Sequence, residues 1–115
     1  VFDFRKDYRF AWPVTVLVPT LEGQVEKMFK GIFRLVPKDE LDKATAADPN
    51  NADTIVARMT LIDWNDMVEG TMPETKKLPP YSKEAHEEML AVPFVRYAIA
   101  KAYYEAVSGV LRLKN

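Results

Sequence analysis

The residues able to do chemistry are few and scattered along the chain. His86 is the sole histidine and is followed by Glu87 and Glu88. A zinc-binding helix places two histidines four residues apart on one face, with a glutamate between them as base. His86-Glu87-Glu88-Met89-Leu90 lacks the second histidine, so no metal site is read here. His86 is instead expected on the charged surface of its helix. Asp63 and Asp66 are three apart and would share one side of a helix end, where two carboxylates could clasp a hard cation if further oxygen ligands converged. No such ligands lie nearby in the sequence, and the pair is read as solvated acid. Ser82 and Ser108 are the only serines, and neither sits in a nucleophile elbow. His86, four residues after Ser82, belongs to the same local helix with no third partner in view, so Ser82 reads as a helix cap. Four glycines, none spaced for a phosphate loop, give nucleotide binding no support. No catalytic, cofactor-binding or metal residue is expected, and the chain is not expected to be an enzyme.

Composition narrows the remaining classes. The 115 residues, 48% of them apolar, suit one domain spanning 1–115 that buries roughly two thirds of its unfolded surface. A net charge of −1 provides no concentrated positive field for phosphate neutralisation, so nucleic acid is not expected as a partner. The longest apolar run, Ala11 to Val18, is broken by Pro13 and Thr15 and falls short of the roughly 20 residues that span a bilayer. Phe2 to Arg9 mixes charges and aromatics without the apolar stretch of a secretory signal. Absence of cysteine fits a reducing cytoplasm and excludes disulfides and thiolate chemistry. What stands out is aromatic content, thirteen Phe, Tyr and Trp residues. Phe side chains and Trp64 are expected mainly in the core.

The elements that must hold these residues follow from periodicity. Val14, Val16 and Val18 alternate with Thr15 and Leu17, the pattern of a strand, and Pro13 argues for a sheet edge or the start of a strand. Pro19 to Gly23 supplies a turn. Val25 to Val36 fits two periods: alternation collects Val25, Phe29, Phe33 and Leu35 with Gly31 as a bulge, while a helix collects Val25, Met28, Phe29, Ile32, Phe33 and Val36. The strand is preferred, because a hairpin turn precedes it and Gly31 would weaken a helix interior by about 1 kcal/mol. The N-terminal region is thus a β-hairpin over about 8–36. Helices are expected over 38–47, 52–66, 83–91 and 93–108, giving an α+β fold. In the last helix Val95, Ala98, Ile99, Ala102 and Ala106 form the inner stripe, and Tyr97 and Tyr104, seven apart, share another face. Tyrosines on such a face suit anchors of a protein interface; Tyr97 and Tyr104, with Leu111 and Leu113 of the tail, are the expected protein-binding residues.

Taken in order, Ala11-Trp12-Pro13-Val14, the Gly turn, Phe29-Lys30-Gly31-Ile32-Phe33-Arg34-Leu35, Pro37 and Glu40-Leu41 form a pattern that continues through the chain. It runs on through Trp64, Leu78-Pro79-Pro80-Tyr81-Ser82, Leu90 to Val95, and Ala102-Tyr103-Tyr104-Glu105-Ala106 before Gly109 and Lys114-Asn115. This resembles the tail assembly chaperones of long-tailed phages and prophages over nearly the whole chain. The resemblance implies a small α+β or largely helical protein that binds the tape measure protein, keeps its amphipathic helices soluble and helps recruit the major tail tube protein. It also implies a host bacterial cytoplasmic location and absence from the mature virion, and it allows a homo-oligomer. A structural tail or head–tail component retained in the virion is the alternative. The loop Gly70 to Lys77 departs from the family's shorter acidic turn, so it receives no binding role.

Overall fold

A computed structural model describes residues 8–65, 69–70 and 78–108. Alternation governs the first of these stretches. Strand β1 (Arg9–Thr20) buries Val14 and Val16 and exposes Thr15 and Leu17. Strand β2 (Gly23–Arg34) buries Phe29, Gly31 and Phe33, so the segment that fitted two periods is a strand. Antiparallel register pairs Phe10 with Phe33, Trp12 with Gly31 and Val14 with Phe29, placing these side chains on one face. Gly23, at φ +114°, closes the hairpin in a region that other residues rarely enter. Thr20 Oγ1 fastens the turn, donating to the Gly23 carbonyl at 2.6 Å and accepting the Glu22 N–H at 3.2 Å.

Helix α1 (Lys38–Ala47) starts after Pro37, carries Asp39 and Glu40 in its first turn, and buries Leu41. A single 3₁₀ turn, Pro49–Asn51, leads into α2 (Ala52–Thr60), which buries Val56, Ala57 and Thr60. Asn51 occupies the N-cap position, yet its side chain bonds Asp48 at 3.0 Å and leaves the α2 backbone uncapped by any side chain.

The helix expected over 52–66 ends at Thr60. Leu61–Trp64 is instead a strand, β3, paired antiparallel with β2 through Gly31–Trp64, Ile32–Asp63 and Phe33–Leu61. The ladder continues as the Asn65 N–H bonds the Lys30 carbonyl at 2.9 Å. Spacing of Leu61, Ile62 and Trp64 allowed either period. The deciding partner lies about thirty residues earlier in the chain, where the second edge of β2 would otherwise be left unpaired. A register shift between Ile32 and Phe33 leaves Ile62 of β3 as the extra residue, so the irregularity lies in β3 and not at Gly31, where a bulge is expected from the sequence. The glycine is required by crowding: a Cβ there would lie 2.9 Å from the Phe33 ring and 3.0 Å from Leu61. A two-residue strand, β4 (Glu69–Gly70), pairs with Lys27 and Met28 of β2.

The sheet order is β1-β2-β3, which leaves β1 at the edge and explains why it tolerates Pro13 and Pro19. Ser82 caps α3 (Lys83–Leu90) by accepting the Ala85 N–H at 3.0 Å, as its position foretells. Ala91, still helical in its backbone angles, is the C-cap residue, so α3 matches the expected 83–91 to within one residue. Helix α4 (Pro93–Ser108) has the expected bounds. It lies along β1 and packs on α2. Ala98, Ile99 and Ala102 are buried in its inner stripe, and their small size permits close approach. Tyr103, 2% exposed, pins the layers together. Its ring packs against Phe10 and Phe33, and its hydroxyl accepts the buried Val36 N–H at 3.1 Å. The architecture is α+β: an antiparallel sheet begun by the hairpin, with four α-helices among the described residues.

Candidate protein-binding surface

Helix α4 presents Tyr97 and Tyr104 on its outer side, 62% and 47% exposed. Seven residues of helix separate them by about 10 Å along the axis, two turns, so both rings point the same way. The platform beneath them is fixed at several points. Asp53 of α2 accepts from Arg96 at 3.3 Å, and the same guanidinium donates to the Leu90 carbonyl at 3.2 Å, tying α2 and the end of α3 to the start of α4. Tyr103, on the inner side, secures the other end.

Three grooves flank the two rings. One of about 500 Å³, mostly apolar, runs between α4 and the first two helices, over Thr45, Val56 and Ala100, with both tyrosines at its rim. A second, about 460 Å³, separates α4 from the hairpin and mixes Leu17, Phe94, Ala98 and Tyr97 with the charged Glu26, Lys101 and Glu105. The third, about 530 Å³, lies over Val36, Leu41 and Tyr103, bordered by Tyr104 and Val107. Tyr97 therefore divides the first groove from the second, and Tyr104 divides the first from the third. Burial raises the Tyr104 phenol above its ordinary pKa, and Asp42 adds to the effect, so the hydroxyl stays protonated and able to donate. Leu17 and Val107, both exposed, extend the apolar area. Neither is among the binding residues expected from the sequence, although alternation sets Leu17 on the strand face opposite Val14 and Val16, and Val107 falls three residues after Tyr104 on the same helical stripe. Leu111 and Leu113 lie outside the described residues.

Among the described residues, Asp63, Ser82 and His86 form no catalytic or metal-binding group. Asp63 lies in β3, where its carboxylate accepts its neighbour Trp64's N–H at 2.8 Å, and not at a helix end. Asp66 lies outside the described residues. Among the described residues no group of three or more His, Asp or Glu could hold a metal ion. Nor does any helix among them have the length and apolar character to cross a membrane.

His86 departs from expectation: it is 4% exposed, against the surface placement read from its acidic neighbours. The neighbours do face water, with Glu87 reaching Arg58 of α2 through two bonds of 2.9 and 2.8 Å. One helical position earlier, the imidazole turns inward against Trp64 and Tyr81. A helix rotates 100° per residue, so a single position separates surface from core, and a run of charges hid the inward one.

Searches against protein-family models, curated proteins and solved structures found no match for this chain.

Proposed function

We propose that this protein is a tail assembly chaperone of a long-tailed phage or prophage, which binds the tape measure protein and keeps it soluble until the tail tube forms around it. The observation that carries this reading on the structural side is the pair of exposed tyrosines on α4 with grooves on either side. Tyrosine provides a large contact area with only two side-chain torsions to order, and a hydroxyl that tolerates water when the site is empty. Side chains at positions i and i+7 of an amphipathic helix are also about 10 Å apart, matching the spacing of the two rings. The resemblance of the sequence to this family supplies the partner. On this reading the chain makes and breaks no covalent bond.

A tape measure protein exposes long apolar stripes before assembly, and such stripes aggregate unless covered. Covering must be reversible, because tube subunits displace the chaperone as they polymerise. Moderate affinity for each copy, multiplied along one extended partner, meets both demands. The same reading includes recruitment of the major tail tube protein and a place in the host bacterial cytoplasm. Co-expression with the tape measure protein encoded beside it tests the proposal. The expected outcome is a rise in soluble tape measure with co-purification of both chains, and an unchanged soluble yield without co-purification contradicts it. Mass spectrometry of purified virions should find the chain absent; presence at fixed copy number would favour a structural tail component.

A further inference from the structure

His86 belongs to no part of the binding surface, and its surroundings are built around one neutral ring. It joins three elements. From α3 its Nδ1 lies 3.2 Å from the Tyr81 hydroxyl, which can donate to that nitrogen or accept from it. Its ring stands edge-on to Trp64 of β3, with centroids 6.1 Å apart. Trp64 in turn packs against Tyr81 at 4.8 Å and donates its indole N–H to the Pro79 carbonyl at 2.9 Å. With the proton of the neutral ring on Nε2, that nitrogen is buried and has no hydrogen-bond partner among the described residues. The backbone of Ala57 in α2 lies near enough to favour protonation, without reaching bonding geometry.

We propose that His86 is a proton-operated clasp, whose protonation frees α3 and the segment 78–82 from Trp64 and α2 while the hairpin and α4 remain folded. In the imidazolium both ring nitrogens donate, so the Tyr81 hydroxyl would have to turn and accept from Nδ1. A full positive charge would also sit where, among the described residues, no anion is bonded to it. The charged groups around the site do not offset this. Glu87, on the same helix, attracts the imidazolium but is exposed and engaged by Arg58, while Arg58 of α2 repels it. Tyr81, from the preceding segment, stays protonated, because burial and the nearby charge of Asp63 in β3 both raise its pKa. From α4, Arg96 is engaged by Asp53 of α2 and by the Leu90 carbonyl at the far end of α3. Opening stays local because the contacts of Tyr103 with Phe10, Phe33 and Val36, which join α4 to the hairpin, involve none of these groups.

Burial sets the direction, holding His86 below the ordinary histidine pKa. Between that lowered value and about 6.5 the opened form binds the extra proton and the closed form does not. The clasp is therefore fully closed above about pH 6.5 and loosens as pH falls, by up to about tenfold in the opening equilibrium per pH unit.

Hydrogen exchange at pH 7.5 and 5.5, corrected for intrinsic rates, tests the proposal in the wild type and in His86→Gln, which cannot titrate. The expected result is a selective loss of protection in Lys83–Leu90 of the wild type at pH 5.5, with α4 unchanged and no pH effect in the variant. Loss shared equally by α4, no loss at all, or the same loss in the variant overturns it. Because His86 is the only histidine, its ring resonance also gives an assignment without any substitution. A midpoint below about 6.5 in the folded protein is expected, and one at or above that value overturns the proposal.

Discussion

Tyr103 and Tyr104 are neighbours in sequence and opposites in situation. Tyr103 is buried, packed at a tilt against Phe10 and Phe33 with its hydroxyl accepting a backbone N–H, whereas Tyr104 is half open to solvent with its ring at the rim of two grooves. The contrast extends over the molecule. Phe33, Trp64 and Tyr103 hold the sheet and helices together, while Tyr97, Tyr104, Leu17 and Val107 lie on the outside with grooves between them. Rings turned inward should matter to stability and little to binding. Rings turned outward should show the reverse, since a largely exposed side chain contributes little to folding, with Tyr104 retaining one edge-on contact with Tyr103 at 5.8 Å.

The largest expected effect breaks the inner set. Trp64→Ala removes the ring between Phe29, Tyr81 and His86 and should destabilise the fold by about 3–5 kcal/mol, read from denaturant midpoints at unchanged slope. Gly31→Ala comes next. Its methyl would press on Phe33, Leu61 and Val14, at 2.9, 3.0 and 3.2 Å, with an expected cost of about 1–3 kcal/mol. Tyr103→Phe keeps the ring and deletes the oxygen, leaving the Val36 N–H buried without its acceptor; about 1–2 kcal/mol should be lost. Tyr97→Ser with Tyr104→Ser sharpens the comparison from the other side. Thermal denaturation should place Tyr97→Ser within about 0.5 kcal/mol of the wild type and Tyr104→Ser, which also loses the edge-on contact with Tyr103, about 0.5–1.5 kcal/mol below it. Smallest of all, Arg58→Ala breaks an ion pair open to water and should leave the melting temperature nearly unchanged at moderate salt.

Much of the fold was legible because its signals are local. The alternation around Val14 and Val16, the turn at Gly23, the Ser82 cap and the limits of α4 at Pro93 and Ser108 each depend on residues a few positions apart. Leu61–Trp64 was misread for the opposite reason: a four-residue segment takes its conformation from β2, and no nearby residue announces the pairing. His86 was misplaced because its acidic neighbours dominate the local composition, while the rings that enclose it come from Trp64 and Tyr81. Tyr97 and Tyr104 were found by helical spacing alone. The grooves beside them require α1, α2 and the hairpin to be in place, and no sequence period encodes that assembly.

The comparison is decided most directly by capture of tape measure protein. On the proposed function, wild-type chain and the Tyr97→Ser, Tyr104→Ser variant would be co-expressed with the same tape measure fragment, at a temperature where both are folded, and purified through a tag on this chain. The wild type should retain the fragment in solution and the variant should lose it to the pellet, with Tyr103→Phe still retaining it at a temperature where that variant is folded. Equal retention by the wild type and the double variant would contradict the assignment of binding to the outer face of α4.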